Sequence, residues 1–234
     1  MPVPLSESEL IVNPDGSIYH LNLRPQQIAT TVLLVGDQGR VPRISQHFDR
    51  IDHVVQRREF LTHTGVFRGM PLSVLSTGIG TDNIDIVINE LDAVININLE
   101  TRIPKDQRTS LNLIRIGTSG AIQPDIPVGS FVVSEYGLGF DGLLHYYHHQ
   151  PDQDEAAIVS SIDAQLAWPE TLAHPYISQC SLELMQHIGA GMIPGITATA
   201  TGFYGPQGRR LFLTPRDQNL NERLMAFRHG NLRI

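Results

Sequence analysis

Three apolar runs in the first half of the chain each end in a turn that contains glycine. The runs cover residues 31–36, 70–76 and 111–116, and their composition is typical of buried strands. Between the second and third runs, apolar residues from Ile84 to Ile95 recur at helical spacing, which predicts an amphipathic helix capped by Thr81 or Asp82. Strands that alternate with helices indicate an α/β domain with a mixed or mostly parallel sheet.

The rest of the chain carries weaker patterns. The stretch 145–175 mixes Asp, Gln, Pro and His without a clear period, which predicts irregular surface structure. We find no internal repeat and no low-complexity linker, so we expect a single domain over residues 1–234. The other elements predicted are helices over 40–48, 181–188 and 219–228, and strands over 59–67, 130–134 and 192–200, with a turn at Arg68-Gly69.

Composition excludes several classes of protein. The 234 residues are 41% hydrophobic and 18% charged, as expected for a globular protein with a sizeable core. A net charge of −7 disfavours nucleic acid as a partner, since phosphate backbones need a basic face. Cys180 is the single cysteine, which excludes an internal disulfide and favours a reducing compartment. With neither a signal peptide nor a membrane-spanning run in the sequence, we expect a cytoplasmic protein with no membrane partner.

The glycine turns are candidates for anion binding. Backbone N–H groups are exposed where the strands of an α/β sheet end, and Arg40 follows the first turn while Arg115 precedes the third. Glycine turns beside guanidinium groups can bind phosphate; ordinary turns beside surface arginines are the alternative. Asn83 stands where a dinucleotide fingerprint would need its third glycine, and no Walker A lysine follows any of the turns. Neither NAD nor ATP is therefore predicted.

Other chemistry-bearing residues do not form a known motif. His145, His148 and His149 stand beside Pro151 and Asp152, which is more typical of a loop than of a metal site, so no metal is predicted. Cys180 lies in no motif, and core packing is its better interpretation. A hydrolase triad is not predicted, because the sequence holds no Gly-x-Ser-x-Gly elbow.

Six short motifs follow one another along the chain. They are YHLNL at 19–23, GDQGRV at 36–41, RREF at 57–60, STGIG at 76–80, RIGTSGAIQP at 115–124 and GFYGPQGR at 202–209. In this order they resemble the nucleoside phosphorylase family, particularly its uridine phosphorylase branch. The resemblance covers residues 17–213 and is weak around 145–195. Its most specific part is the run that begins at Arg115.

The resemblance implies a fold, an assembly and a reaction. The implied fold is a three-layer αβα domain with a central mixed sheet. The implied assembly is a homodimer as the smallest functional unit, within a homohexamer. The implied reaction is reversible phosphorolysis, in which a nucleoside and inorganic phosphate give free base and ribose 1-phosphate. Phosphate is then a co-substrate, and no cofactor is implied.

Two sets of site residues follow from the resemblance. For phosphate it implies Gly36, Arg40, Arg115 and Thr118, with Arg58 supplied by the neighbouring subunit. Three arginines would fix the anion by charge-assisted hydrogen bonds beneath the developing oxocarbenium ion. Of these, Arg115 is the one expected to be catalytic.

The nucleoside set comprises His20, Thr118, Phe203, Gln207 and Arg209. The resemblance implies that His20, also from the neighbouring subunit, faces the ribose 5′-hydroxyl and that Phe203 packs near the base. Gln207 would pair with the amide edge of the base, and Arg209 would stabilise negative charge on the departing base as a second catalytic residue. The Gln-x-Arg spacing favours a pyrimidine over a purine.

The resemblance also implies a Glu-Met-Glu segment that binds the ribose hydroxyls shortly after the helix predicted over 219–228. Because the sequence ends at Ile234, we expect the C-terminal part of the family fold to be missing, and Glu222 lies too early to replace that segment. Two alternatives stay open: a non-catalytic or truncated relative that binds nucleoside or phosphate, and a nucleosidase that uses water. The presence of three arginines for phosphate disfavours the nucleosidase.

Overall fold

The computed structural model describes residues 3–234, which divide into two compact units. The first unit ends at Thr118 and the second begins at Ser119. Each unit has an apolar core of its own. Both combine helices with a mixed sheet, so the predicted mixed α/β class is confirmed. The single domain over residues 1–234 stays a prediction.

The described residues of the first unit form a five-stranded sheet and a separate two-stranded one. A 3-10 helix at Pro25–Gln27 precedes the other elements. In chain order these are β1 (Thr31–Val35), α1 (Arg40–Ser45), β2 (Arg50–Arg57), β3 (Phe60–Phe67), β4 (Met70–Ser76), α2 (Thr81–Asn96), β5 (Ile97–Asn98), β6 (Ile103–Pro104) and β7 (Asn112–Arg115).

The larger sheet has the strand order β2-β3-β4-β1-β7. β2, β3 and β4 pair antiparallel, whereas β1 lies parallel to both β4 and β7. Arg68 and Gly69 join β3 to β4 with positive φ angles of 48° and 77°, as a two-residue hairpin turn requires. The turn predicted at these two residues is therefore confirmed.

Helix α2 supplies much of the first core. Val87, Leu91 and Val94 are fully buried on one face, as the apolar spacing predicts, and they belong to the same cluster as Val32 and Leu34 of β1. Burial of each such side chain contributes about 1.5–3 kcal/mol. The cap predicted at Thr81 or Asp82 is wrong, because the helix already begins at Thr81 and the residue before it makes no side-chain cap.

The second unit contains a three-stranded sheet, with the order β10-β8-β9, among its described residues. β8 is parallel to β10 and antiparallel to β9. The elements in chain order are β8 (Val132–Gly139), a 3-10 helix (Leu143–Tyr146), α3 (Gln153–Leu166), β9 (Tyr176–Gln179), α4 (Leu182–Ile188), β10 (Ile193–Thr199), a second 3-10 helix (Gly205–Gln207) and α5 (Leu220–Ala226).

The irregular structure predicted over 145–175 is wrong for half of that stretch, because α3 lies within it. Asp152 and Glu155 form a capping box at the start of this helix. Ile158, Ile162 and Leu166 then recur at helical spacing and are buried. The Asp-x-x-Glu pair followed by these apolar residues is the signal that would have predicted the helix.

Four strands, β2, β5, β6 and β9, were not predicted, and β8 is longer than predicted. β2 carries no apolar alternation because most of its residues are exposed or half-buried. β8 continues to Gly139 rather than ending at Ser134. In the described part of the chain, no helix is long and apolar enough to cross a membrane.

Candidate active site

The glycine turns of the first unit lie at one edge of its sheet. β4, β1 and β7 are neighbours and run in the same direction, so the turns that follow them meet at the edge where the strands end. Two backbone hydrogen bonds extend the strand pairing into the turns. The Thr77 amide donates to the Val35 carbonyl at 2.7 Å, and the Ile116 amide donates to the Leu34 carbonyl at 2.8 Å.

Gly78 requires glycine both for its backbone conformation and for the space around it. Its φ is +70°, and a Cβ there would lie 2.5 Å from the Asn83 amide nitrogen and 2.9 Å from Cγ of Glu59. An L side chain in this conformation is strained, and neither neighbour could keep its place. A side chain at position 78 would therefore have to displace the Asn83 and Glu59 side chains.

The structure brings four of the residues predicted to bind phosphate to this edge. Gly36 directly follows β1, Arg40 begins α1, Arg115 ends β7, and Thr118 is exposed three residues later. The Arg115 guanidinium folds beside Gly117, where a Cβ would lie 3.7 Å from its Cζ. Among the described residues, no carboxylate forms an ion pair with either arginine. Two arginines that pair with no described carboxylate thus lie next to the turns in the chain.

Arg58 and His20 both contact the Tyr19 ring. Arg58 occupies the tip between β2 and β3 with a φ of 54°, and its Cζ lies 5.7 Å from the centre of the Tyr19 ring. The His20 ring lies 4.6 Å from the same ring, edge to face. The Gln38 side chain of the first glycine turn donates to the Arg58 carbonyl at 2.7 Å. The two residues expected to act in the neighbouring subunit's site are thus neighbours in this chain.

Glu90 of α2 binds the segment that carries His20. One carboxylate oxygen lies 2.6 Å from His20 Nδ1, and the other accepts from the backbone amides of His20 and Leu21 at 3.0 and 2.8 Å. The Glu90 side chain is 13% exposed and that of His20 is 26% exposed. No sequence pattern predicts a role for Glu90, because its partners lie about 70 positions away and no local motif links them.

The residues predicted to read the base form one loop of the second unit. The Arg209 guanidinium stacks on the Phe203 ring, with Cζ 3.9 Å from the ring centre. It donates to the Phe203 carbonyl at 2.7 Å and to the Gln207 side-chain oxygen. The Asn221 amide of α5 donates to the Gln207 carbonyl at 3.3 Å. The Tyr204 ring lies 5.3 Å from the Phe203 ring, edge to face, and Phe203 is nevertheless 59% exposed.

The other titratable groups of the second unit were also considered as candidates for catalysis or metal binding. Burial and a hydrogen bond to Asp141 raise the pKa of Tyr176, and burial raises the pKa of the Cys180 thiol, so both groups stay protonated near neutral pH. His149 lies 3.7 Å from the Glu155 carboxylate. Within residues 3–234, His, Cys, Asp and Glu form no group of three or more that could hold a metal ion.

Comparisons with known proteins identify the family to which the chain belongs. The sequence pattern of the Phosphorylase superfamily matches residues 30–226. A uridine phosphorylase of Thermococcus kodakarensis is 35% identical over 195 residues, which are 83% of this chain and 59% of that protein. The Escherichia coli uridine phosphorylase is 30% identical over 197 residues, which are 83% of this chain and 65% of that protein. The chain therefore spans about three fifths of the length of these relatives.

A solved structure extends the comparison to the fold. The nucleoside phosphorylase of Trypanosoma brucei, described as showing uridine phosphorylase activity, superposes with a TM-score of 0.86 at 28% identity. The match covers 95% of this chain and 80% of that one. Fold and sequence together define a nucleoside phosphorylase-like α/β protein. The chain belongs to the Phosphorylase superfamily, which confirms the predicted family.

Proposed function

We propose that the protein catalyses reversible phosphorolysis of a pyrimidine nucleoside such as uridine, with inorganic phosphate as co-substrate. The observation that carries this proposal is the sheet edge where glycine turns follow neighbouring parallel strands beside Arg40 and Arg115, which form no ion pair with any described carboxylate. Such an edge suits a small dianion, because backbone amides and arginines both donate hydrogen bonds to it. The uridine phosphorylases among the relatives support the same reaction.

In this proposal the phosphate site makes the nucleophile effective by position and charge. Arg40, Arg115, Gly36 and Thr118 hold the anion, and Arg58 of a second copy completes the set. Phosphate held beneath the anomeric carbon attacks as the bond to the base breaks. Fixing both reactants replaces a collision between two free molecules with a step inside one complex. The anion also stabilises the developing positive charge on the sugar.

The loop of the second unit would then recognise the base. Gln207 accepts a hydrogen bond from Arg209, yet its carbonyl oxygen has a second lone pair and its NH₂ group remains a donor. An amide with both capacities can pair with the N–H and C=O of a pyrimidine edge. Arg209 would stabilise the negative charge on the departing base, and Phe203 would stack beside it.

The assembly and location belong to the same proposal. His20 and Arg58 would act in a neighbouring subunit's site, so the smallest active form would be a homodimer, within a homohexamer. The protein would work in the cytoplasm without a cofactor.

One assay tests the proposed reaction. The chain is incubated with uridine, with and without phosphate, and with inosine in parallel, while free base and ribose 1-phosphate are measured. Uracil release that requires phosphate is the expected result. Release that is independent of phosphate would make the protein a nucleosidase and overturn the proposal.

A binding measurement covers the case in which no base is released. A ligand present at 100 times its dissociation constant stabilises the folded state by about 2.7 kcal/mol. Stabilisation by phosphate or uridine without turnover would indicate a binding protein. If neither ligand changes the free energy of unfolding, both the catalytic and the binding interpretations are wrong.

A further inference from the structure

The hydrogen bonds around Glu90 determine which nitrogen of His20 carries the proton. An ionised carboxylate accepts hydrogen bonds and cannot donate them. The 2.6 Å contact between Glu90 and His20 Nδ1 therefore requires a proton on Nδ1. A neutral imidazole with its proton there presents an unprotonated Nε2, which accepts a hydrogen bond.

We propose that Glu90 is a positioning residue that holds His20 with Nδ1 protonated, so that Nε2 accepts a hydrogen bond from a hydroxyl donor on the sugar. This inference rests on the proposed function, in which His20 faces the ribose 5′-hydroxyl. The proposal explains how the protein would select its substrate, because an acceptor held in place by Glu90 favours a sugar with a free hydroxyl over a sugar without one.

The backbone contacts of Glu90 make the orientation of His20 specific. The same carboxylate accepts from the amides of His20 and Leu21, so it fixes both the main chain and the ring of His20. The ring also packs against Tyr19, over which Arg57 and Arg58 lie. Rotation of the His20 ring about its bond to the main chain would break the hydrogen bond from Nδ1 to Glu90 and move the ring away from Tyr19.

The variant Glu90→Gln separates the two functions of the carboxylate. An amide oxygen in the place of the oxygen nearest Leu21 still accepts from both backbone amides, which lie 3.0 and 2.8 Å from that position. The NH₂ group then lies beside Nδ1 and 3.1 Å from the His20 amide, which is itself a donor. Nδ1 is the one acceptor of these two groups, so the NH₂ group donates to it and the proton of His20 moves to Nε2. The variant should therefore keep the fold and reverse the tautomer.

The first arm of the test is nitrogen NMR of histidine-labelled protein, recorded at rising pH until the ring signals are those of a neutral imidazole. His20→Gln assigns the signal. We expect protonated Nδ1 in the parent chain and in the control Glu100→Gln, an exposed carboxyl in the turn after β5, and protonated Nε2 in Glu90→Gln. Protonated Nε2 in the parent chain would overturn the proposal.

The second arm compares uridine with 5′-deoxyuridine as substrates. We expect the parent chain to prefer uridine in kcat/KM and Glu90→Gln to lose roughly 3- to 10-fold of that preference. Glu90→Gln should have no further effect on the preference in a His20→Gln background. An equal loss with both substrates would indicate a purely structural role and contradict the proposal. If the parent chain uses neither nucleoside, the proposed function fails, and the tautomer measured by NMR still decides the role of Glu90.

Discussion

The two compact units present their candidate residues in different ways. In the first, Arg115 ends a hydrogen-bonded strand, and the turns around it follow neighbouring parallel strands. In the second, Gln207 ends a single-turn 3-10 helix within the loop and Arg209 follows it, and contacts with each other and with Phe203 hold them. Strands fix a site more firmly than loops do. Substitutions of the residues proposed to bind phosphate should therefore lower activity without unfolding the protein. Substitutions of the residues proposed to bind the base should alter the choice between nucleosides.

The largest effect is expected from Arg115→Ala. The side chain is exposed and the strand is held by its backbone, so the free energy of unfolding should change by no more than about 0.5 kcal/mol. Loss of one charged donor to the phosphate should lower kcat/KM for phosphate by roughly 100- to 1,000-fold. Steady-state kinetics at varied phosphate measures this. Arg108→Ala, at an exposed arginine in the preceding loop, is the control, and unchanged phosphate saturation in Arg115→Ala would contradict its assigned role.

A substitution at Gly78 tests the backbone conformation of the middle glycine turn, whereas Arg115→Ala tests a charged side chain. Gly78→Ala adds a strained φ and two close contacts, which together should lower the free energy of unfolding by about 2–4 kcal/mol. Gly69→Ala is the matched control, because its φ is +77° but a Cβ there meets nothing within 4 Å. It should cost about 1–2 kcal/mol. Urea denaturation measures the free energy of unfolding of both variants. Equal losses would show that Asn83 and Glu59 move away from the added Cβ at little cost.

A substitution in the loop that carries Gln207 should change the preference between uridine and inosine. Gln207→Ala removes the amide proposed to pair with the base and leaves the residues proposed to bind phosphate unchanged. We expect the ratio of kcat/KM for uridine to that for inosine to fall about tenfold, with KM for phosphate little changed. Gln218→Ala, at an exposed glutamine farther along the chain, should leave both quantities unchanged. A larger effect on phosphate than on the base would be evidence against the assigned role of Gln207.

The sequence predicted the first unit better than the second, for physical reasons. The apolar runs around β1, β4, β7 and α2 are regular because those elements pack directly into a core. The three candidate residues of the base loop could be found through one continuous motif, GFYGPQGR. Glu90 could not be found in this way, since its contacts join elements far apart in the chain. Helix α3 was missed because a polar loop precedes it and its apolar face is narrow.

The cap of α3 offers the last and smallest test. The Asp152 side chain accepts from the Glu155 amide at 2.8 Å, and the Glu155 side chain accepts from the Asp152 amide at 3.1 Å and the Gln179 amide of β9 at 2.9 Å. Asp152→Ala should lower the free energy of unfolding by about 1 kcal/mol. Asp152→Asn keeps an acceptor at the cap and should change it by less than about 0.5 kcal/mol.

Urea denaturation of the two cap variants distinguishes a local effect from a general one. The capping box attaches α3 to the sheet through the buried Glu155, so the loss should appear in the second unit. Amide exchange should quicken first in the opening turn of α3, whereas β1 and β4 should keep their protection because they belong to the other core. Equal losses in Asp152→Ala and Asp152→Asn would mean that the charge of Asp152 at the helix start, not its capping hydrogen bond, stabilises α3.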